Sequence, residues 1–143
     1  MVTPDDNTDP IATAEVAAFW QRVGCRVVQI AAREHDECVA LISHLPHLIA
    51  GALIHAVAGK NAHAFQVVGP GFRDTTRVAS GPPGMWVDIL RENAPAVLGS
   101  LDAIMTKLAE LRGILASPAT NSESLRNFLA VAKQTRDQIQ FPK

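Results

Sequence analysis

Apolar residues crowd one stretch of the chain above all others. Between Arg33 and Ala58 the residues Cys38, Val39, Leu41, Ile42, Leu45, Leu48, Ile49, Leu53, Ile54 and Val57 leave no wide polar face. A helix that is apolar nearly all round needs cover on several sides, so residues 33–58 are predicted to form a long central helix. Upstream, TDPIATAEVAAFWQRVG has clear helix punctuation: Thr8 or Asp9 as cap, Pro10 in the first turn and Gly24 as the stop. CRVVQI follows as a short β-rich run, and Val2-Thr3-Pro4 reads as the tail of another strand. Residues 1–30 therefore read as strand end, helix and strand, a remnant of an α/β unit. So little strand makes no stable sheet alone, and upstream residues or a partner chain are expected to complete it.

The remainder is helical by pattern. GPGF is expected to turn, RDTTRVA to form a short helix, and SGPPG to break it, with Ser80 or Gly81 as a possible cap. MWVDILRENAPAVLGSLDAIMTKLAELRGIL gives one or two helices, with Pro95 marking a bend or junction. SPATNSES is a polar loop ending in a serine cap, and LRNFLAVAKQTRDQI a final amphipathic helix. The fold class is all-α, with residues 31–143 as the helical body behind the 1–30 remnant.

Composition narrows the function classes. A chain of 143 residues, 48% hydrophobic and 19% charged, is globular and long enough for a real core. Net charge is −1 and aromatic residues make up 5%, which argues against a nucleic-acid surface. Cys25 and Cys38 lack CxxC partners and sit in apolar segments, so buried free thiols are expected. Ser43, His44, Pro46 and His47 interrupt the longest apolar run, which argues against a membrane span of roughly 18–20 residues. MVTPDDNTDP lacks the layout of a signal peptide, and a cytoplasmic location is the default expectation.

The central helix carries the candidate chemistry. Spaced at about 100° per residue from Asp36, the positions Ala40, Ser43, His47 and Ile54 fall within about 20° of one line. Ala50 and Gly51 flank that stripe, which leaves room for a ligand or a closely packed helix. His44 lies about 60° around from His47, and His35 roughly opposite His44. Pro46 removes the N–H that the Ile42 carbonyl would accept, so a kink is expected there. HLPH is an i,i+3 histidine pair without the adjacent base of HExxH, which makes metal the weaker reading. Downstream, GFRDTTRVA places Arg73 and Arg77 on one face, and an arginine fork matches a carboxylate. Asp74, i,i+3 from Arg77, is positioned to hold or screen it. Met85-Trp86 reads as core or as ligand wall.

EHDECVALISHLPHLIAGAL followed by GFRDTTRVASGPPGMWVDILRENA resembles the C-terminal helical domain of prephenate and arogenate dehydrogenases. VTP…TDPIATAEVAAFWQRVGCRVVQI is similar to the last strand–helix–strand of that family's nucleotide-binding domain. The resemblance implies a helical dimerisation domain like the C-terminal domain of 6-phosphogluconate dehydrogenase. It also implies an NAD- or NADP-dependent oxidative decarboxylation of prephenate or arogenate in tyrosine biosynthesis, within an intertwined homodimer. On the matching positions, Arg77 would hold a substrate carboxylate and His47 would line the same pocket. His44 and Ser43 would support them, Trp86 would wall the cleft, and Asp36, Asp74, Arg73 and His35 would organise the polar shell.

Two features depart from the family pattern. No glycine-rich fingerprint follows a strand, and no HP-containing catalytic motif occurs, so no catalytic, cofactor or metal residue is expected in this chain. SGPPGMW has a proline where an acidic residue is common. The chain is expected to supply the substrate-binding and dimerising part of such an enzyme, the nucleotide-binding domain lying outside it. A non-catalytic dimeric module that binds or senses an aromatic-pathway acid, and a purely structural helical dimer, are the competing readings.

Overall fold

The computed structural model describes residues 1–116 and 122–140, so most of the expected SPATNSES loop lies outside the described residues. These residues fall into two compact units, Met1–Ser100 and Leu101–Lys143.

In the first unit, α1 (Pro10–Arg22) begins and ends by local chemistry. The Asp9 carboxylate caps it, accepting the Ile11 N–H at 2.8 Å. Gly24 leaves it at φ 91°, a left-handed conformation that glycine adopts without strain. Thr8 is not the cap: its hydroxyl donates to the Asp5 carboxylate at 2.8 Å. That bond, with one from the Asn7 N–H, holds the Asp5 carboxyl below its ordinary range. CRVVQI does not become a strand of a sheet. Val2 and Gln29 form an isolated parallel bridge, with the Val2 N–H donating to the Val28 carbonyl at 2.9 Å. Cys25 is exposed, contrary to the buried thiol expected, because no second layer covers a chain paired at a single bridge.

The long central helix is present but not uniform. α2 (Ala32–Val39) passes into a π turn, Ala40–His44, and then into α3 (Leu45–Lys60). Pro46 has no N–H to return to Ile42, and the ladder adapts by widening: the Leu45 N–H reaches the Ala40 carbonyl, five residues back. The segment Ala32–Lys60 has a mean hydropathy of 1.6 over its most apolar window and is long enough to cross a membrane by length and composition. The polar interruptions therefore do not exclude a span as the sequence suggested. Within this unit the same segment is the packing hub, with α3 against the π turn, α4 and the two 3₁₀ turns beyond it.

Asn61 ends α3 and opens a 3₁₀ turn, Ala62–Val67, by accepting the His63 N–H at 3.0 Å. GPGF is not a turn. Pro70 sits in the first turn of α4 (Pro70–Thr76), where its missing N–H is no loss, so the helix starts earlier than expected. A 3₁₀ turn, Arg77–Ser80, continues it. Pro82, not Ser80 or Gly81, is the cap position of α5 (Pro83–Glu92), and it makes no side-chain cap bond. α6 (Ala94–Ala116) follows after Asn93, with Pro95 in its first turn.

Small side chains form the core of this unit: Ala17, Ala40 at 0% exposure, Ala50 at 1% and Val97, with His44, Thr76 and Ser100 as buried polar groups. Large apolar side chains stay outside, Ile42 at 74% and Leu98 at 62% among them. In the second unit α7 (Ser122–Gln138) carries an ion pair between Lys133 and Asp137. Ile114, Phe128 and Val131 line an open apolar groove there, flanked by the Lys107–Glu110 pair at 2.9 Å.

Candidate functional site

The π turn decides which residues of the central helix face inward. One extra residue per turn breaks the 3.6-residue phase, so the stripe drawn through Ala40, Ser43 and His47 does not exist as drawn. The inward positions are Ala40, His44, His47 and Ala50, and Ser43 is exposed. Asp36 is also exposed, and its carboxylate meets the His35 Nδ1 at 3.0 Å.

His44 and His47 are both engaged by neighbours. The His47 ring stacks on the Trp86 indole, with centroids 3.6 Å apart and planes 12° from parallel. His44 approaches the same indole edge-on at 6.3 Å. The Asn93 amide Nδ2 lies 3.4 Å from the His44 Nδ1 and donates to the Asp36 carbonyl at 2.8 Å. Asn93 thus ties the break between α5 and α6 back to α2 and to the end of the π turn. The His47 Nδ1 is buried with no partner. Nε2, unlike Nδ1, is not buried without a partner.

Arg77 belongs to a different hollow. A pocket of about 600 Å³ is lined by Gly51, Ile54 and His55 of α3, Phe65 and Val68 beyond it, and Phe72, Arg73, Thr76, Arg77, Ala79 and Ser80. Arg73 and Arg77 both reach it, as their i,i+4 spacing predicts. Asp74 does not hold Arg77: its carboxylate pairs with Arg73 at 3.4 Å. Phe65 and Phe72 meet edge-to-face at 6.1 Å and supply an aromatic wall. The Thr76 hydroxyl is already used, donating to the Phe72 carbonyl at 2.7 Å. Among the described residues no acidic side chain lines the pocket, so two guanidiniums, an imidazole and a hydroxyl face an apolar hollow suited to an organic acid. His47, expected to share this pocket with Arg77, is not among its lining residues; stacking on Trp86 takes it up instead.

Periodicity missed His55, Asn93 and Gly81. His55 sits one turn beyond Gly51 and was separable only by knowing which face α4 covers. Asn93 acts over 57 residues of separation. Among the described residues, no three His, Cys, Asp or Glu side chains converge to hold a metal.

The fold is that of an all-α helical domain with a basic, aromatic-walled pocket beside a histidine–tryptophan stack. Residues 31–131 match the family described as prephenate dehydrogenase, dimerization domain, and the chain belongs to that family. It is 41% identical over 121 residues to the cyclohexadienyl dehydrogenase of Zymomonas mobilis, covering 82% of this chain and 41% of that protein. It is 30% identical to the prephenate dehydrogenase of Bacillus subtilis, covering 96% of this chain and 37% of the relative. The chain thus spans about two-fifths of the curated relatives it matches. Among solved structures it superposes on prephenate dehydrogenase from Aquifex aeolicus, in complex with hydroxyphenyl propionate and NAD+, with a TM-score of 0.88 and 31% identity. That match covers 96% of this chain and 49% of the other. It also superposes on Synechocystis arogenate dehydrogenase with a TM-score of 0.80 and 29% identity, covering 94% and 49%.

Proposed function

We propose that this chain is the substrate-binding and dimerising portion of a prephenate or arogenate dehydrogenase, a cytoplasmic NAD- or NADP-dependent enzyme of tyrosine biosynthesis. The observation that carries this reading is the pocket that joins Arg73, Arg77 and His55 to a Phe65–Phe72 wall in a chain of this family. Arg77 takes the substrate carboxylate, since its planar fork can make two parallel charge-assisted bonds. The His47 Nε2 and the Trp86 face contribute from the neighbouring stack, with His44 edge-on to the indole; Asp74 acts on Arg73, His35 and Asp36 pair with each other, and Ser43 stands exposed outside this group. Residues 1–30 are the end of the nucleotide-binding domain, and residues 31–143 the helical domain.

The nicotinamide dinucleotide is expected to be held by residues other than those at the start of α1. The exposed start of α1 is capped by the Asp9 carboxylate, which would repel a pyrophosphate. When bound elsewhere in such an enzyme, the cofactor accepts the hydride. The residues here bind and orient the acid, and orientation of this kind is a large share of catalysis.

Homodimer formation is part of the proposal. A core made of alanines and one valine, beneath exposed Leu41, Ile42, Val87 and Leu98, leaves apolar surface for a second copy to cover. Calorimetric titration with prephenate and with arogenate tests the binding role. Saturable binding that Arg77→Ala weakens is expected. Absence of binding of either acid at millimolar concentration would overturn it.

A further inference from the structure

Gly81 lies in the break between the Arg77–Ser80 turn and α5, a segment that sequence reading treats only as a helix stop. A Cβ placed on it would stand 2.4 Å from the Trp86 Nε1, 3.0 Å from Cδ1 and 3.3 Å from the His47 Cε1. At the other eight glycines nothing lies within 4 Å of such an atom. Gly81 is not chosen for backbone freedom, since Gly24 is the glycine with positive φ. Its missing side chain is what matters: the bare Cα is a floor on which the indole edge and the imidazole both rest.

The half-buried indole is held on one face and one edge. His47 covers its face at 3.6 Å and His44 stands against it edge-on. His44 in turn is buried and within reach of Asn93. We propose that Gly81 is a positioning residue for ligand binding: by leaving room for Trp86 to lie flat on His47, it sets the direction in which the His47 Nε2 is presented. This rests on the reading of His47 as part of the substrate site. An alanine there forces the indole off the imidazole or moves the Ser80–Pro83 backbone, which also carries the neighbour of Arg77's turn.

The test uses the full chain with Gly81→Ala, Trp86→Ala and the double variant. A ring stacked this closely shifts the His47 Cε1 proton upfield in the proton spectrum, and that resonance is assigned by its loss in His47→Gln. The parent is expected to show the upfield resonance. Trp86→Ala is expected to lose it, and Gly81→Ala to lose most of it. Affinity for hydroxyphenyl propionate is expected to fall about threefold to tenfold in Gly81→Ala, the equivalent of one aromatic contact. In the Trp86→Ala background the alanine at 81 is expected to change thermal midpoint and affinity far less than in the parent, since only the 3.3 Å approach to the His47 Cε1 remains.

A Gly81→Ala chain that keeps the parent's resonance and affinity would overturn the proposal. So would an equal loss in stability with and without Trp86, which would mean that the backbone needs glycine for its own sake. If Gly81→Ala fails to fold, the double variant decides: folding like Trp86→Ala supports the proposal, and failing again overturns it. Should the parent not bind hydroxyphenyl propionate, the substrate-site reading of His47 fails, and with it the binding role of Gly81. The resonance and the double variant would still report whether Gly81 holds the stack.

Discussion

The two ends of α3 make opposite use of polar residues. At its start, His44 and His47 are enclosed by Trp86 and Asn93, and their ring faces are spent on neighbours within the chain. Further along, His55 joins Arg73 and Arg77 at an open pocket where, among the described residues, Arg73 alone of the two arginines has an acidic partner. The first region spends its ring faces on packing and keeps only the His47 Nε2 edge for a ligand; the second leaves its charged groups free for one. A histidine on an apolar helix can belong to either kind, and its neighbours, not its spacing, decide.

Substitutions can separate the two regions. Trp86→Ala should have the largest effect, about 3 kcal/mol of stability read from the urea midpoint, at the low end for a large aromatic because Trp86 is only half-buried. Little or no change would mean that the stack contributes nothing to holding the fold. Asn93→Ala should cost about 1 kcal/mol, since it strips the buried His44 of its amide neighbour and the Asp36 carbonyl of its second donor, the Ala40 N–H remaining. A change in acid affinity larger than the change in stability would blur the division between the regions.

Arg77→Ala should do the reverse. Stability should hold, while affinity for prephenate or hydroxyphenyl propionate falls about tenfold, close to 1.4 kcal/mol, the weak end for a charged contact because Arg77 is exposed. Equal affinities for parent and variant in calorimetry would remove Arg77 from the site. Ser43→Ala should change stability by less than about 0.5 kcal/mol and leave affinity alone, because the π turn puts Ser43 on the exposed side. A measurable loss of binding there would mean that a partner surface brings Ser43 into use.

Much of the fold is legible from local signals. Asp9, Pro10 and Gly24 bracket α1 as their chemistry dictates, and Pro95 falls at a helix junction. Errors arise where one residue type has two local uses. Pro70 between its glycines reads as a turn, yet proline is equally at home in a first helical turn. The site was legible only in part. Arg73 and Arg77 are found together because i,i+4 spacing survives in a short helix. The Asp36–Ser43–His47 stripe fails because it assumes an unbroken helical period across a proline. The pairing of His47 with Trp86 depends on a glycine that no periodicity picks out. The proposed substrate rests on family resemblance, since a basic pocket specifies an acid and not which one.

The five residues from Ala40 to His44 act like a single skipped tooth between two meshed gears. Their count, more than their identity, determines which side chains beyond Leu45 engage α4. Removing any one of them would swing the following helix by about 100°, carrying Gly51 and His55 away from Arg77 together. Variation in length at this point is therefore far more damaging than variation in composition, and Pro46, by refusing the tighter pitch, keeps the count in place.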